Sequence, residues 1–193
     1  MPGFYSIAVF CGSRTGANPA YAQAAHALGV GLAQAGIRLV YGGGKNGLMG
    51  VLADAALGSG GRVLGIIPDF LTKWEVAHDG LTELVVTGGM HARKQRMAAE
   101  ADAFVTLPGG IGTMDETIEI LSWRQLRLHD KPVFLCDVAG SATPLVAAIE
   151  GAIAQGFAGA EISGMFEVTA GVPALLARLA ARPGGSGPAP GRV

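Results

Sequence analysis

The sequence predicts a doubly wound, Rossmann-like α/β fold, a parallel sheet covered by helices on both faces. Three observations predict it. Near-continuous apolar runs such as "SIAVF", "AFVTL" and "PVFLCDV" recur along the chain, as strands of about five to seven residues buried on both faces require. Longer helical patterns separate them, which is what parallel crossovers need. Glycine clusters follow several of the runs, at the strand ends where such folds turn into helices and bind ligands.

Each element follows in order. "SIAVF" (6–10) is the first strand. Asn18 as N-cap, Pro19 at the first helical position and Gly36 as a stop bracket the first helix. "IRLVY" (37–41) is a strand ending in "GGGKNG", "LMGVLADAALGSGG" (48–61) a helix and "RVLGIIP" (62–68) the third strand. Residues 69–82 show no clean period and read as a loop with a helical turn. "ELVVT" (83–87) is a strand, "MHARKQRMAAEA" (90–101) a helix and "AFVTL" (103–107) a strand. A long helix is expected over 113–129 and a strand over 132–138. A helix at 143–156, a short strand near "MFEVT" and a helix at 172–181 close the domain. One domain over 1–181 is expected; beyond it the tail, residues 182–193, loses apolar periodicity and reads as a disordered extension.

Composition narrows the function. A formal net charge of −1 argues against a broad nucleic-acid footprint, so any anion site must be local. Half the residues are hydrophobic but only 6% aromatic, and 31 are glycine, a balance suited to close helix-on-sheet packing. Cys11 and Cys136 each sit near the end of an apolar run and form no spaced framework, so they read as buried free thiols in a reducing compartment. With no basic, apolar leader and no uninterrupted apolar stretch of about 18 residues, the expectation is a soluble, cytoplasmic protein with no membrane partner.

Four glycine-bearing segments fall at strand ends: "CGSRTG" (11–16), "YGGGKNG" (41–47), "TGGMHARK" (87–94) and "PGGIGT" (108–113). Glycine lets backbone approach a ligand, and a helix start presents NH groups to an anion. Four on one edge point to a phosphate-bearing ligand; ordinary tight turns are the bland alternative. Gly42-x-Gly44-x-x-Gly47, with Asp69 further on, satisfies a dinucleotide fingerprint, but it follows the second strand rather than the first. No Lys-Ser or Lys-Thr pair makes a Walker loop either.

Arg93, Lys94 and Arg96 crowd a helix start, where the dipole disfavours them. They form either a solvated basic face or one compensated by a bound anion. Arg93 suits a fixed multidentate contact and Lys94 a flexible point charge. Met90, Arg93 and Met97 share one face, so Arg93 points inward. At 108–113 the loop offers NH groups, Thr113 caps the helix or binds an oxygen, and Glu116 lies one turn on, beside Thr113. Asp115, Glu119 and Glu116 itself could simply be first-turn acids that favour the dipole. A carboxylate next to a phosphate site gains a use in glycosidic chemistry, where it stabilises an oxocarbenium-like sugar and steers water.

These residues resemble a known family. "LPGGIGTMDE" is similar to the PGGxGTxxE motif, and "MHARKQRM" to the MHxRKxxM motif, of the Lonely Guy proteins. Those proteins are cytokinin-activating nucleoside 5′-monophosphate phosphoribohydrolases, long mislabelled as lysine decarboxylases. "VFCGSRTGANPAY", "VYGGGKNGLMGVLADAAL", "WEVAHDGLTEL" and "LSWRQLRLHDKPV" extend the resemblance over about residues 6 to 140. Met114 and Asp115 replace the commoner Leu-Glu, and Ser122 stands where Thr is frequent.

The resemblance implies a catalytic pair, Arg93 and Glu116. It implies substrate contacts from Lys94, from the Gly109-Gly110-Ile111-Gly112-Thr113 loop with Met114, Asp115 and Glu116, and from Glu75 and Ser122. It further implies a homodimer that needs no metal or organic cofactor and cleaves the N-glycosidic bond of N6-substituted adenosine monophosphates. A decarboxylase would need a Schiff-base lysine and pyridoxal phosphate, and none of the four lysines has a matching context. The competing expectation is a non-hydrolytic carrier of a nucleotide or of the molybdenum cofactor, on the same fold.

Overall fold

The computed structural model describes residues 4–72 and 77–181. Seven strands, β1 (Ser6–Phe10), β2 (Arg38–Tyr41), β3 (Val63–Pro68), β4 (Glu83–Thr87), β5 (Ala103–Thr106), β6 (Val133–Asp137) and β7 (Glu167–Ala170), form one sheet. The order is β4-β3-β2-β1-β5-β6-β7, and every pairing is parallel. Six helices connect or close them: α1 (Pro19–Gln34), α2 (Gly47–Gly58), α3 (Met90–Glu100), α4 (Ile111–Gln125), α5 (Thr143–Ala154) and α6 (Gly171–Ala180). The doubly wound architecture expected from the sequence is therefore the observed one. The expected tail, 182–193, lies outside the described residues, as does Glu75.

Alternation along the strands builds two cores. Ile7, Val9, Leu39, Tyr41 and Val105 face one way and meet α1, α2 and α6 through Leu28, Leu32, Leu52 and Leu175. Ala8, Phe10, Val40, Ile66 and Phe104 face the other and meet α3, α4 and α5 through Met97, Ile120, Leu121 and Ile149. Each fully buried aliphatic contributes about 1.5–3 kcal/mol over leaving it in water. The small residues have a use here. A Cβ on Gly29 of α1 would run into the Leu52 carbonyl and come within 2.9 Å of the Ala55 methyl, so glycine lets α1 and α2 touch backbone to backbone.

Helix ends explain where the sequence reading shifts. At α1 the Asn18 side chain accepts from Ala20 N at 3.0 Å, with Pro19 following, as its residue types suggest. Helix α4 instead begins at Ile111 with Gly110 as N-cap, two residues ahead of the expected start. It also stops at Gln125, short of His129. The stop is a Schellman turn: Leu128 N donates to Trp123 O at 2.9 Å and Arg127 N to Arg124 O at 3.0 Å, with Arg127 left-handed at φ 60°. Glycine usually marks that position. Arginine there hid the boundary. A 3₁₀ turn at Ala160–Gly164 was also not foreseen.

The chain winds from β1 outward to β4, then crosses back to lay β5 on the other side of β1. The loops after β1 and β5 lead to helices on opposite faces of the sheet, which makes this the switch point beside which folds of this kind hold their ligands.

A candidate active site at the switch point

These two loops are stitched together. Gly12 N donates to Pro108 O at 3.0 Å, and Gly12 O accepts from Leu48 N at 3.0 Å and Met49 N at 3.3 Å. Gly109 has no room for a Cβ, which would collide with the Thr113 hydroxyl and lie 2.9 Å from Gly12 N. The Gly12 carbonyl thus caps α2, and the Asn18 side chain caps α1. Those two helix starts have spent their donors. At α4 no side chain caps the start, and Gly109, Gly110, Ile111 and Gly112 are exposed. Of the loops expected to cradle an anion, 87–94 and 108–113 both lead into helix starts without a side-chain cap, at α3 and at α4, and 108–113 exposes the longer run of glycine-rich backbone for an anion to meet. The 41–47 segment serves the protein's own packing, and Asp69 caps its own turn by accepting from Phe70 N at 2.7 Å.

Arg93 and Glu116 meet beside that start. Arg93 projects inward from α3 with Met97, as the helical face predicts, and both are buried. Its Nη1 lies 3.5 Å from Glu116 Oε1 and donates to Met90 Sδ at 3.8 Å. Its Nε donates to Ile66 O at 3.1 Å and its Nη2 to Gly42 O at 3.3 Å. The multidentate contact expected of Arg93 is therefore made with backbone carbonyls at the ends of β2 and β3. Glu116 is only 8% exposed, and sits at the sixth residue of α4 rather than in its first turn. The first-turn reading of Asp115 and Glu116 fails because the helix starts earlier than its polar residues suggested.

Thr113 and Glu116 do share the buried side of α4. Thr117 fixes that side: its hydroxyl donates to Thr113 O at 2.7 Å and meets Thr106 Oγ1 of β5 at 2.8 Å. Thr113 is the third helical residue, so it does not cap the helix.

The basic start of α3 is compensated by the protein itself. Lys94 Nζ lies 2.6 Å from Asp115 Oδ2 and 3.0 Å from Glu119 Oε2, and Arg96 pairs with Glu100 at 2.7 Å. Burial alone lowers the Lys94 ammonium's pKa, but the two carboxylates raise it above its ordinary value, so it stays charged. Asp115 and Glu119 thereby acquire a job beyond dipole compensation. They tie α4 to α3.

Ile111, Met114, Ile118 and Ser122 follow one another along the exposed side of α4. Ser122 lies six residues beyond Glu116, about 9 Å along the axis at 1.5 Å per residue, and is exposed where Glu116 is buried. The structure does not bring it to Glu116 within one chain. Gly42, Ile66 O and the Thr106–Thr117 pair were missed by the sequence reading. Only the glycine run at 42–44 could have hinted at them.

The cysteines are free and buried. Burial, then the charge of Glu116, pushes the Cys11 thiol far up, and burial lifts Cys136 to about 11, so neither is a ready nucleophile. Among the described residues no cluster of three or more His, Cys, Asp or Glu is placed to hold a metal, and no helix is long and apolar enough to cross a membrane.

Comparison with known proteins agrees with this geometry. A family model described as "Possible lysine decarboxylase" matches residues 49–179. The chain is 49% identical over 153 residues to the cytokinin riboside 5′-monophosphate phosphoribohydrolase of Rhodococcoides fascians, covering 79% of this chain and 77% of that one. It is 45% identical over 154 residues to one of the Arabidopsis thaliana enzymes of the same name, covering 80% and 71%. Among solved structures, the molybdenum cofactor carrier protein of Chlamydomonas reinhardtii superposes with a TM-score of 0.69 over 90% of this chain and 94% of that one. At 23% identity that likeness speaks for the fold alone. Identity of this extent, over a site carrying both motifs in place, decides the matter: the chain belongs to the Lonely Guy family, the cytokinin riboside 5′-monophosphate phosphoribohydrolases.

Proposed function

We propose that this protein hydrolyses the N-glycosidic bond of adenosine 5′-monophosphates, including N6-substituted ones, to the free base and ribose 5-phosphate. The observation that carries the reading is the buried Arg93–Glu116 pair set beside the open, glycine-lined start of α4. The names of its relatives support it.

The 5′-phosphate is held by the NH groups of 110–113 and favoured by the helix dipole. As the C1′–N bond breaks, its electron pair leaves with the base, which takes up a proton. Positive charge grows on the ribose, and the Glu116 carboxylate stabilises it. Water then adds to C1′ from the side where Glu116 can accept its proton. Arg93, with Nη1 3.5 Å from Oε1, aims that carboxylate. Among the described residues each lysine is engaged elsewhere: Lys45 pairs with Asp79, Lys94 with Asp115 and Glu119, and Lys131 donates to Ala98 O; Lys73 lies outside the described residues.

Incubation with AMP and with isopentenyladenosine monophosphate, followed by chromatography of the bases, tests the proposal. The monophosphates are expected to turn over far better than the bare nucleosides, in kcat as well as KM, because remote phosphate binding is spent on positioning the ribose. Equal efficiency with and without phosphate would remove the cradle from the mechanism. Tight nucleotide binding without release of base would favour the carrier reading.

We further place the protein in the cytoplasm as a homodimer, with no nucleic-acid partner. The buried free thiols fit a reducing compartment, and the net charge of −1 fits the last point. For the dimer the support is the outer stripe of α4, where Ile111 is 82% exposed and Met114 and Ile118 follow at helical spacing. A second copy laid on it would cover this apolar surface and bring Ser122 of one chain toward the site of the other. Light scattering at micromolar concentration is expected to give twice the chain mass, and Ile118→Glu to halve it. A monomeric mass for the unaltered chain refutes the dimer.

A further inference from the structure

Gly42 ends β2 without taking a positive φ, unlike its neighbour Gly43 at +78°. Any residue could adopt its backbone, so conformation does not explain the glycine. Space does. A Cβ at Gly42 would occupy the position of Arg93 Nη2, and would stand 3.3 Å from both Arg93 Cζ and Met49 Sδ.

The same residue also holds what it makes room for, since its carbonyl accepts from Nη2 at 3.3 Å. Ile66 O takes Nε at 3.1 Å. With two of the three guanidinium nitrogens bound to the ends of β2 and β3, the plane is fixed, and Nη1 is turned to Glu116 Oε1 at 3.5 Å. A planar fork gripped at two points keeps little freedom at the third. We infer that Gly42 is a positioning residue for the reaction: its missing side chain and its carbonyl set Arg93, and through Arg93 the Glu116 carboxylate. The inference rests on the function proposed above but concerns a residue outside the 108–113 loop.

A double-mutant cycle tests it, with Gly42→Ala, Arg93→Ala and the double variant assayed for kcat, KM and melting temperature. Gly42→Ala is expected to lose about 10²-fold in kcat, the cost of a misplacement on the order of 1 Å, with KM for the monophosphate changed less than about threefold because the cradle is untouched. In the Arg93→Ala background the same substitution is expected to cost nothing further in kcat and nothing in melting temperature, since the methyl fills space that the guanidinium has vacated.

Wild-type kcat for Gly42→Ala, or equal penalties in both backgrounds, would overturn the inference. Should Gly42→Ala fail to fold, a double variant as stable as Arg93→Ala alone upholds it, and one less stable than Arg93→Ala overturns it. If the wild type releases no base from any monophosphate, the functional proposal fails on its own. The melting temperatures then still decide whether Gly42 acts through Arg93.

Discussion

Glu116→Gln is expected to lose kcat by ~10²-fold or more while still binding the nucleotide. The substitution keeps shape and hydrogen-bonding capacity at a site only 8% exposed and removes the charge alone. That charge matters most when the sugar becomes cationic, so its loss falls on the transition state rather than on the ground state. Affinity for the monophosphate should hold or rise, because one negative charge near the phosphate is gone. Folding should survive with a lowered melting point, since a buried guanidinium loses its carboxylate but Arg93 keeps its bonds to Ile66 O and Gly42 O. Initial rates beside calorimetric titration of AMP separate the two effects. Near wild-type turnover would make Glu116 no more than an internal partner for Arg93.

Arg93→Ala is expected to damage both catalysis and the fold. It takes donors from two carbonyls and the cation from beside a buried carboxylate. Removing one partner of a buried ion pair costs about 3–5 kcal/mol, against a total stability on the order of 5–15 kcal/mol. For a chain of this size that corresponds to a melting point lower by roughly 10 °C. Turnover should fall by at least as much as in Glu116→Gln, because the carboxylate is then no longer aimed. Thermal melting and initial rates on the same preparation check it. An unshifted melting point would mean that the backbone contacts of Arg93 contribute little.

The path of the chain was legible because it is written in local patterns. Apolar runs located all seven strands, and Asn18-Pro19 marked α1 to the residue. Boundaries blurred where a rarer residue did the work of a common one, as at Arg127 in the left-handed turn closing α4. The site was half legible. Helical spacing turned Arg93 inward with Met97 and put Thr113 and Glu116 on one side of α4, and the structure agrees. What Arg93 touches could not be read, because Gly42 and Ile66 act through carbonyls that every residue possesses, and β2 and β3 come near α3 only in three dimensions. The basic start of α3 misled for the same reason. Its compensating acids Asp115 and Glu119 sit on another helix, so an unseen anion was the only compensation the linear pattern could offer.

The peptide at Gly12, bonded on one side to Pro108 and on the other to the start of α2, bears on how the ligand is met. A loop already tied at both faces has few conformations to surrender when a nucleotide arrives. Association should then carry only a small ordering penalty at the phosphate end, with the backbone superposable before and after. The contrast is with glycine-rich lids, which pay for their grip by closing. For the proposed cradle, glycines would then give close approach without mobility, on a surface finished when the chain folded.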